Sequence, residues 1–188
     1  MIINPVLTRM CETTGLGSSM ECYEVMYFVT RLHRCKKILE IGTYRGGSAI
    51  AFAQAVLDSG MVPSVYSVDN SSQEEARTTA RANLAEAGVA SHVELLDGDS
   101  AEQIPLLIKK VGRMDLVLID GWHSPDAVMT DYENVRDYTP LILFHDTGDG
   151  TKPYLDRVRS DGFDLCHFST RYREGDGHIV GITLAYPC

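Results

Sequence analysis

An apolar stretch, a glycine turn and a helical stretch follow one another at residues 37–57, and this succession constrains the fold more than any other part of the chain. The residues Ile38–Ile41 are typical of a buried strand in a parallel sheet. The strand pattern stops at Gly42, and a helical stretch follows over Ala49–Leu57. A glycine turn lets the backbone approach a ligand, and a helix start offers free N–H groups and a partial positive charge. We therefore predict an α/β fold with a nucleotide-type site at this turn.

The glycines of the turn are spaced Gly42-x-x-x-Gly46-Gly47. This spacing differs from the G-x-G-x-x-G of dinucleotide-binding folds, and no Lys-Ser/Thr pair follows it as in a P-loop. Glu40 is an acid inside an otherwise apolar strand, and a buried carboxylate needs a partner. A ligand ammonium is one candidate for that partner.

Length and composition predict one ordinary globular domain. The chain has 188 residues, of which 44% are hydrophobic and 23% are charged, enough for a single large core. Its net charge of −9 argues against a nucleic-acid partner, because phosphate binding needs a basic face. No apolar run has the length of a membrane span, and Met1–Arg9 lacks the pattern of a signal peptide. The five cysteines are scattered without a C-x-x-C pair, which favours reduced thiols and a cytoplasmic protein.

The segment Glu40–Ser48 resembles the first motif of class I S-adenosylmethionine (SAM) dependent methyltransferases. It is most similar to the branch that methylates oxygen atoms of small molecules, which includes catechol, caffeoyl-CoA and macrocin O-methyltransferases. The resemblance implies a three-layer, Rossmann-like, seven-stranded and mostly parallel sheet with an antiparallel last strand and helices on both faces. It also implies SAM as cofactor, bound at this turn by Glu40, Gly42, Thr43, Tyr44, Gly46 and Ser48.

A second predicted strand, Val62–Val68, ends at Asp69-Asn70. A carboxylate at this position can accept hydrogen bonds from both hydroxyls of a ribose, since it offers two oxygens to a vicinal diol. We therefore predict that Asp69 and Asn70 bind the cofactor. Further on, Ser72–Glu75 has the serine-to-glutamate spacing of a capping box, which predicts the start of a helix.

A third predicted strand, at 92–96, is followed by the polar turn Asp97–Ala101. In the family that the chain resembles, the corresponding turn contacts the adenine, and this assigns Asp99 and Ser100 to that base. Alternatively, Ser100 only caps a helix over 101–110.

The segment Met114–His123 resembles another family motif, D-L-V-x-I-D-G-x-H. Asp120 falls on the aspartate that binds magnesium and orients the substrate, His123 falls on the base, and Trp122 falls on an aromatic position beside cofactor or substrate. Histidine suits the role of base, because its ordinary pKa is about 6.5. Alternatively, His123 is an N-cap or surface residue of a helix over 125–135.

The pair His145-Asp146 follows a predicted strand at 141–144. In metal-dependent relatives, two adjacent acidic or amide residues here complete a magnesium site with the earlier aspartate, so the resemblance implies Asp120, His145 and Asp146 as ligands. Only the second position of the pair matches, and magnesium prefers oxygen whereas imidazole suits transition metals. The alternatives are weakly bound magnesium, manganese or iron(II), no metal, or a structural hydrogen bond of His145. The chain also lacks the family's Pro-Gly-Gly-like turn, since 137–140 leads straight into the strand.

The two ends of the chain carry weaker patterns. Met20–Leu32 has the apolar spacing of a helix, which either covers the cofactor and substrate, as in the family, or packs on the sheet edge. We therefore divide one domain, 1–188, into a helical segment 1–34 and a core 35–188. The tail predicts a helix from 151 to 159, strands at 163–168 and 178–185, and a polar turn at 169–177. His167 and His178 have no motif, and we predict that they are structural or surface residues.

Taken together, these segments predict a SAM-dependent O-methyltransferase that acts on a small hydroxylated molecule, with His123 as base and a possible divalent cation. The resemblance also suggests a homodimer. Two alternatives remain: a metal-dependent enzyme on the same fold, similar to cephalosporin hydroxylases, and a SAM- or nucleoside-binding module without catalysis.

Overall fold

A computed structural model describes residues 4–14, 16–70, 74–148, 152–173 and 179–188. The predicted capping box at Ser72 and the predicted surface residue His178 lie outside these residues. Within the described ranges, no helix is both long enough and apolar enough to cross a membrane.

Helices and strands alternate along most of the chain. In chain order they are α1 (Pro5–Thr14), α2 (Met20–Leu32), β1 (Lys37–Ile41), α3 (Gly47–Leu57), β2 (Ser64–Asp69), α4 (Glu74–Glu86), β3 (Val93–Asp97), α5 (Ser100–Val111), β4 (Leu116–Ile119), α6 (Pro125–Val135), β5 (Ile142–Phe144), α7 (Tyr154–Ser160), β6 (Phe163–Arg173) and β7 (Ile179–Pro187). A single 3₁₀ turn at Ala90–His92 leads into β3.

The described strands form one seven-stranded sheet in the order β3-β2-β1-β4-β5-β7-β6. Neighbours among β1 to β5 run parallel, whereas β7 is antiparallel to both β5 and β6. The predicted fold class, with helices around a mostly parallel sheet and an antiparallel last strand, is therefore confirmed.

Helices cover both faces of the sheet. One core cluster joins one face to α1, α2, α3 and α4, and a second joins the other face to α5, α6 and α7. Successive strand residues point to opposite faces, so Ile38 lies in the first cluster and Leu39 in the second. By the same alternation Glu40 points towards α3. It pairs in register with Ser67 of β2.

The order of the sheet reverses at β1. The chain moves outward from β1 to β2 and β3, and then returns to place β4 on the other side of β1. In open parallel sheets, a crevice forms beyond the carboxyl ends of the strands at such a switch point. The loops after β1 and β4, which carry the first motif and Asp120–His123, therefore lie side by side.

Some predicted boundaries were wrong. Helix α1 was not predicted, although Asn4 caps it by accepting a hydrogen bond from the Leu7 amide at 3.0 Å, and Pro5 occupies its first position. Strand β6 continues to Arg173, where we predicted a polar turn from residue 169. Pairing with β7 explains this extension, because the ladder supplies backbone partners that a local pattern does not reveal.

Candidate functional site

A cavity of about 820 Å³ opens at the carboxyl edge of the sheet. Thirteen of the fifteen predicted site residues line it. They are Gly42, Thr43, Tyr44, Ser48, Asp69, Asn70, Asp99, Ser100, Asp120, Trp122, His123, His145 and Asp146. Glu40 and Gly46 do not line it. Glu40 is fully buried, and Gly46 is the N-cap of α3 in the left-handed conformation, with φ of 81°.

The turn after β1 requires glycine at residue 42. Gly42 has φ of 98°, and a Cβ atom there would lie 2.1 Å from the carbonyl oxygen of Asp120. Any side chain would therefore separate the loops after β1 and β4. Tyr44 adopts φ of 43°, unusual for a residue with a side chain, so the backbone of this turn is held in an uncommon shape.

The carboxylate of Asp69 holds this turn in place. Its Oδ2 atom accepts hydrogen bonds from the backbone amides of Thr43, at 2.8 Å, and Tyr44, at 3.0 Å. Asp69 also lines the cavity. The acid at the end of β2 is thus oriented by the first motif, in a position that suits a ribose ligand.

Glu40 lies beneath the cavity in a network of hydroxyl groups. Its Oε1 atom accepts from the Ser67 hydroxyl at 2.5 Å, which in turn contacts the Thr43 hydroxyl at 2.5 Å. Burial raises the pKa of Glu40 to about 8, although hydrogen bonds from Ser48 and Ser67 oppose this shift. The Oε2 atom is buried without a hydrogen-bond partner among the described residues, an arrangement that suits either a proton or a nearby donor.

Two histidines and two aspartates form a charged cluster at the ends of β4 and β5. The Nδ1 atom of His123 lies 2.8 Å from Oδ2 of Asp146. The Nδ1 atom of His145 lies 2.9 Å from Oδ1 of Asp120 and 3.1 Å from Oδ1 of Asp146. Asp120 is more distant from His123, at 3.8 Å. The cluster brings together the predicted base and all three predicted metal ligands.

The cluster shifts the pKa values of its members in directions that favour ion pairs. The hydrogen bond to Asp146 raises the pKa of His123. Burial alone would lower the pKa of His145, but the charge of Asp120 and its hydrogen bonds raise it well above its ordinary value. Burial alone would raise the pKa of Asp146, but hydrogen bonds from both histidines lower it strongly.

The cluster does not favour a divalent cation in this arrangement. Among the residues that the structure describes, no group of three or more His, Cys, Asp or Glu is arranged to hold a metal ion. The imidazole nitrogen of His145 lies close to both carboxylates, where a cation would need open oxygen ligands. Metal binding by Asp120, His145 and Asp146 stays a prediction, and we derive no chemical step from it.

The segment before α2 covers one side of the cavity. Leu16, Gly17, Ser18 and Tyr23 line it. The Ser18 hydroxyl lies 3.1 Å from Nε2 of His145. The Tyr23 hydroxyl accepts from the Ser18 amide and donates to the Leu16 carbonyl, at 3.0 Å each. Helix α2 itself packs against α3 and the edge strand β6, as the second interpretation of Met20–Leu32 had it, whereas the loop before it and Tyr23 border the cavity.

The turn after β3 corrects one alternative and reveals a residue that we missed. Asp99, not Ser100, is the N-cap of α5 and accepts from the Ala101 amide at 2.8 Å. The Ser100 hydroxyl instead donates to Oδ1 of Asp131 at 2.6 Å, because α6 packs beside this turn. Asp131 lines the cavity. The sequence could have indicated Asp131, because it is an acid among the apolar residues that α6 buries, beside Val128 and Tyr132.

The remaining predicted residues lie at the rim. Trp122 is 79% exposed and borders the cavity. His123 is not an N-cap, as one alternative had it, since the side chain of Ser124 caps α6 by accepting from the Ala127 amide. The cavity rim therefore combines an exposed indole ring with an imidazole.

Comparison with known families agrees with this geometry. The family model Methyltransf_24, described as a methyltransferase domain, matches residues 39–147. The match covers more than half of the chain, so the chain belongs to this family of methyltransferase domains. The family predicted from the resemblance is thereby confirmed.

Individual relatives are similar but distant. Catechol O-methyltransferase B of Danio rerio is 29% identical over 142 residues, covering 72% of this chain and 52% of that protein. Catechol O-methyltransferase of Sus scrofa is 28% identical over 170 residues, covering 86% of this chain and 88% of that protein. The chain thus spans about half the length of the zebrafish relative.

A solved structure shares the fold. The O-methyltransferase TomG of Streptomyces achromogenes, solved in complex with SAM, superposes with a TM-score of 0.69 at 22% identity. The alignment covers 98% of this chain and 90% of TomG. This likeness concerns the fold alone.

Proposed function

We propose that this protein transfers the methyl group of SAM to a hydroxyl oxygen of a small molecule. One observation supports this most: a single cavity at the switch point combines nearly all the predicted cofactor residues with the pair His123–Asp146. Bound SAM supplies an electrophilic methyl group, so the oxygen–carbon bond forms as the sulfur–carbon bond breaks. S-adenosylhomocysteine (SAH) leaves, and the hydroxyl proton must go to a base.

The chain's own residues fit the parts of SAM. The carboxylate of Asp69 accepts hydrogen bonds from the ribose hydroxyls, while the backbone that it holds at Thr43 and Tyr44 approaches the ligand. Glu40 positions the hydroxyls of Ser48 and Ser67 from beneath, and its direct contact with the amino group of SAM stays a prediction.

We further propose that His123 accepts the proton from the acceptor hydroxyl through Nε2. The Nδ1 atom faces Asp146 at 2.8 Å. When Nδ1–H donates to that carboxylate, Nε2 keeps its lone pair and the ring is held in one orientation. Trp122 offers an exposed apolar face on which the acceptor packs. Positioning of oxygen and methyl carbon then supplies much of the rate enhancement.

The first experiment is calorimetric titration of the protein with SAH, repeated on Asp69→Ala. We expect binding that weakens at least about tenfold in the variant, because the ribose loses its acceptor and the turn loses its support. Catechol is the first acceptor to test for turnover, since two similar proteins are named catechol O-methyltransferases. If the wild-type protein does not bind SAH, the proposed function is wrong. Binding without turnover of any acceptor would instead indicate a binding module.

Replacement of the proposed base gives a second test. His123→Ala should lower the rate of SAH formation by about 10²–10⁴-fold, the usual contribution of general-base catalysis. The affinity for SAH should change little, because the proton acceptor does not hold the nucleoside. His33→Ala, at an exposed histidine on the end of α2, serves as the matched control. An unchanged rate in His123→Ala would remove His123 from the mechanism.

A further inference from the structure

Asp131 is a buried acid in the wall of the cavity. It is only 4% exposed, and its neighbours on the buried stripe of α6 are Val128, Tyr132 and Val135. Burial of a carboxylate without full hydrogen bonding is costly. Burial accordingly raises the pKa of Asp131, while the hydrogen bond from Ser100 opposes that shift. The carboxylate of Asp131 therefore needs hydrogen-bond donors, of which the described part of the fold supplies Ser100.

Only one of the two carboxylate oxygens of Asp131 has a hydrogen-bond donor among the described residues. Oδ1 accepts the hydrogen bond from Ser100 at 2.6 Å, and no second donor to the carboxylate is found among the described residues. Oδ2 lies on the side of Gly121, where a Cβ atom would be 3.8 Å away. Gly121 is thus the neighbour of this oxygen, and both residues line the cavity.

The surroundings indicate which ligand group this oxygen meets. Asp69 ends β2, and Ser100 follows the neighbouring strand β3 and contacts Asp131. A nucleoside with its ribose at Asp69 can therefore extend its base towards Ser100 and Asp131, which line the same cavity. At the start of α5, the N–H groups of Ala101, Glu102 and Gln103 already donate to Asp99, so they are not free for a ligand. A carboxylate is an acceptor only. The second oxygen of Asp131 therefore offers a hydrogen-bond acceptor at the cavity wall, which complements the exocyclic amino group of adenine.

We propose that Asp131 selects adenine: Ser100 fixes one carboxylate oxygen, and the other accepts a hydrogen bond from the exocyclic amino group of the base. This proposal rests on the proposed function, because it concerns the same bound nucleoside. It adds a specificity residue from α6 to the turn after β3. A 6-oxo purine would place a carbonyl oxygen against the carboxylate, and two acceptors cannot pair.

The test compares the affinities for SAH and S-inosylhomocysteine, which differ at position 6 of the purine. The wild-type protein should bind SAH at least about tenfold more tightly. In Asp131→Asn the amide can donate to a carbonyl, so we expect weaker SAH binding and a preference that falls at least about tenfold or reverses. Glu133→Gln, at an exposed acid on the same helix, is the matched control and should leave the preference unchanged.

The outcomes separate this proposal from the one on which it rests. A wild-type protein that binds neither nucleoside overturns both. A wild-type protein that binds SAH and S-inosylhomocysteine equally overturns only the role of Asp131, and this measurement does not depend on any variant folding. An Asp131→Asn protein that weakens both ligands by the same factor also overturns it, because a structural role would act on both alike.

Discussion

At the scale of single residues, two buried acids depend on serine hydroxyls. Glu40 accepts from Ser67, and Asp131 accepts from Ser100. Each acid interrupts an apolar pattern, one in a strand and one on a helix stripe. Such interruptions are costly for folding alone. In this chain one such acid, Glu40, is buried beneath the cavity and the other, Asp131, lies in its wall.

Glu40 should make stability depend on pH. Its pKa is raised from 4.5 to about 8 in the folded protein, so between these values the folded state keeps a proton that the unfolded chain has lost. The free energy of unfolding should therefore fall as pH rises through this window, by up to about 1.4 kcal/mol per pH unit. Glu40→Gln does not titrate and should lack this fall.

Urea unfolding of both proteins at several pH values between about 5 and about 8 measures the difference. Glu133→Gln, which is exposed, should follow the wild-type curve. Parallel curves for wild type and Glu40→Gln would show that the carboxyl does not keep its proton.

His145 should control whether the cluster accepts a metal. In the wild-type protein its Nδ1 atom lies against both carboxylates, so we expect Mg²⁺ to leave the melting temperature nearly unchanged. His145→Asp replaces the imidazole by oxygen ligands, which Mg²⁺ prefers. The variant should melt at a higher temperature with Mg²⁺ than without it. A clear Mg²⁺-dependent rise in the wild-type protein would contradict this prediction and support the metal site.

At the scale of elements, the close approach of the turns after β1 and β4 defines the cavity floor. Gly42→Ala places a methyl group against the Asp120 carbonyl, 2.1 Å away before any adjustment. Gly60 also has a positive φ, of 72°, but nothing lies within 4 Å of its added Cβ. Gly60→Ala should therefore lose about 1–2 kcal/mol from backbone strain alone.

Gly42→Ala should lose at least about 2 kcal/mol more than Gly60→Ala, because overpacking against backbone is added to the strain. It should also weaken SAH binding, since the two turns move apart. Denaturant unfolding and calorimetry of the two variants measure both effects. Equal stability losses would mean that the turns can separate without cost.

The same elements show what sequence could and could not predict. An apolar strand ended by a polar turn indicated Asp69, whereas the resemblance to the methyltransferase family indicated Asp120 and Asp146. The three lie together because the carboxyl ends of parallel strands align at one edge of a sheet. Strand order, and the packing of α6 beside the turn after β3, depend on contacts between distant residues. Asp131 was therefore missed, although its position on the stripe of α6 was visible. The hydrogen bond between Ser18 and His145 could not be predicted from the sequence for the same reason, since 127 positions separate the two residues.

At the scale of the whole molecule, the family and the sheet order place the candidate site at one edge of the sheet. The family model matches residues 39–147, a range that contains every predicted site residue. The roles of those residues, the acceptor, the use of a metal and the homodimer stay predictions. The affinity for SAH should be measured first, because the proposed roles of Asp69, His123 and Asp131 all require that the protein binds this nucleoside.

The position of β7 has a consequence for how the protein is made. β6 is synthesised first, yet it joins the sheet through β7, which lies between it and β5. During synthesis, β6 cannot pair with the sheet until β7, which follows it in the chain, has also been made. Among the residues that the structure describes, those that line the cavity lie between 16 and 146 and are synthesised before β6. The residues of the ligand site are therefore made before one edge of the sheet is closed, and an unpaired sheet edge is prone to aggregation until β7 pairs with β5.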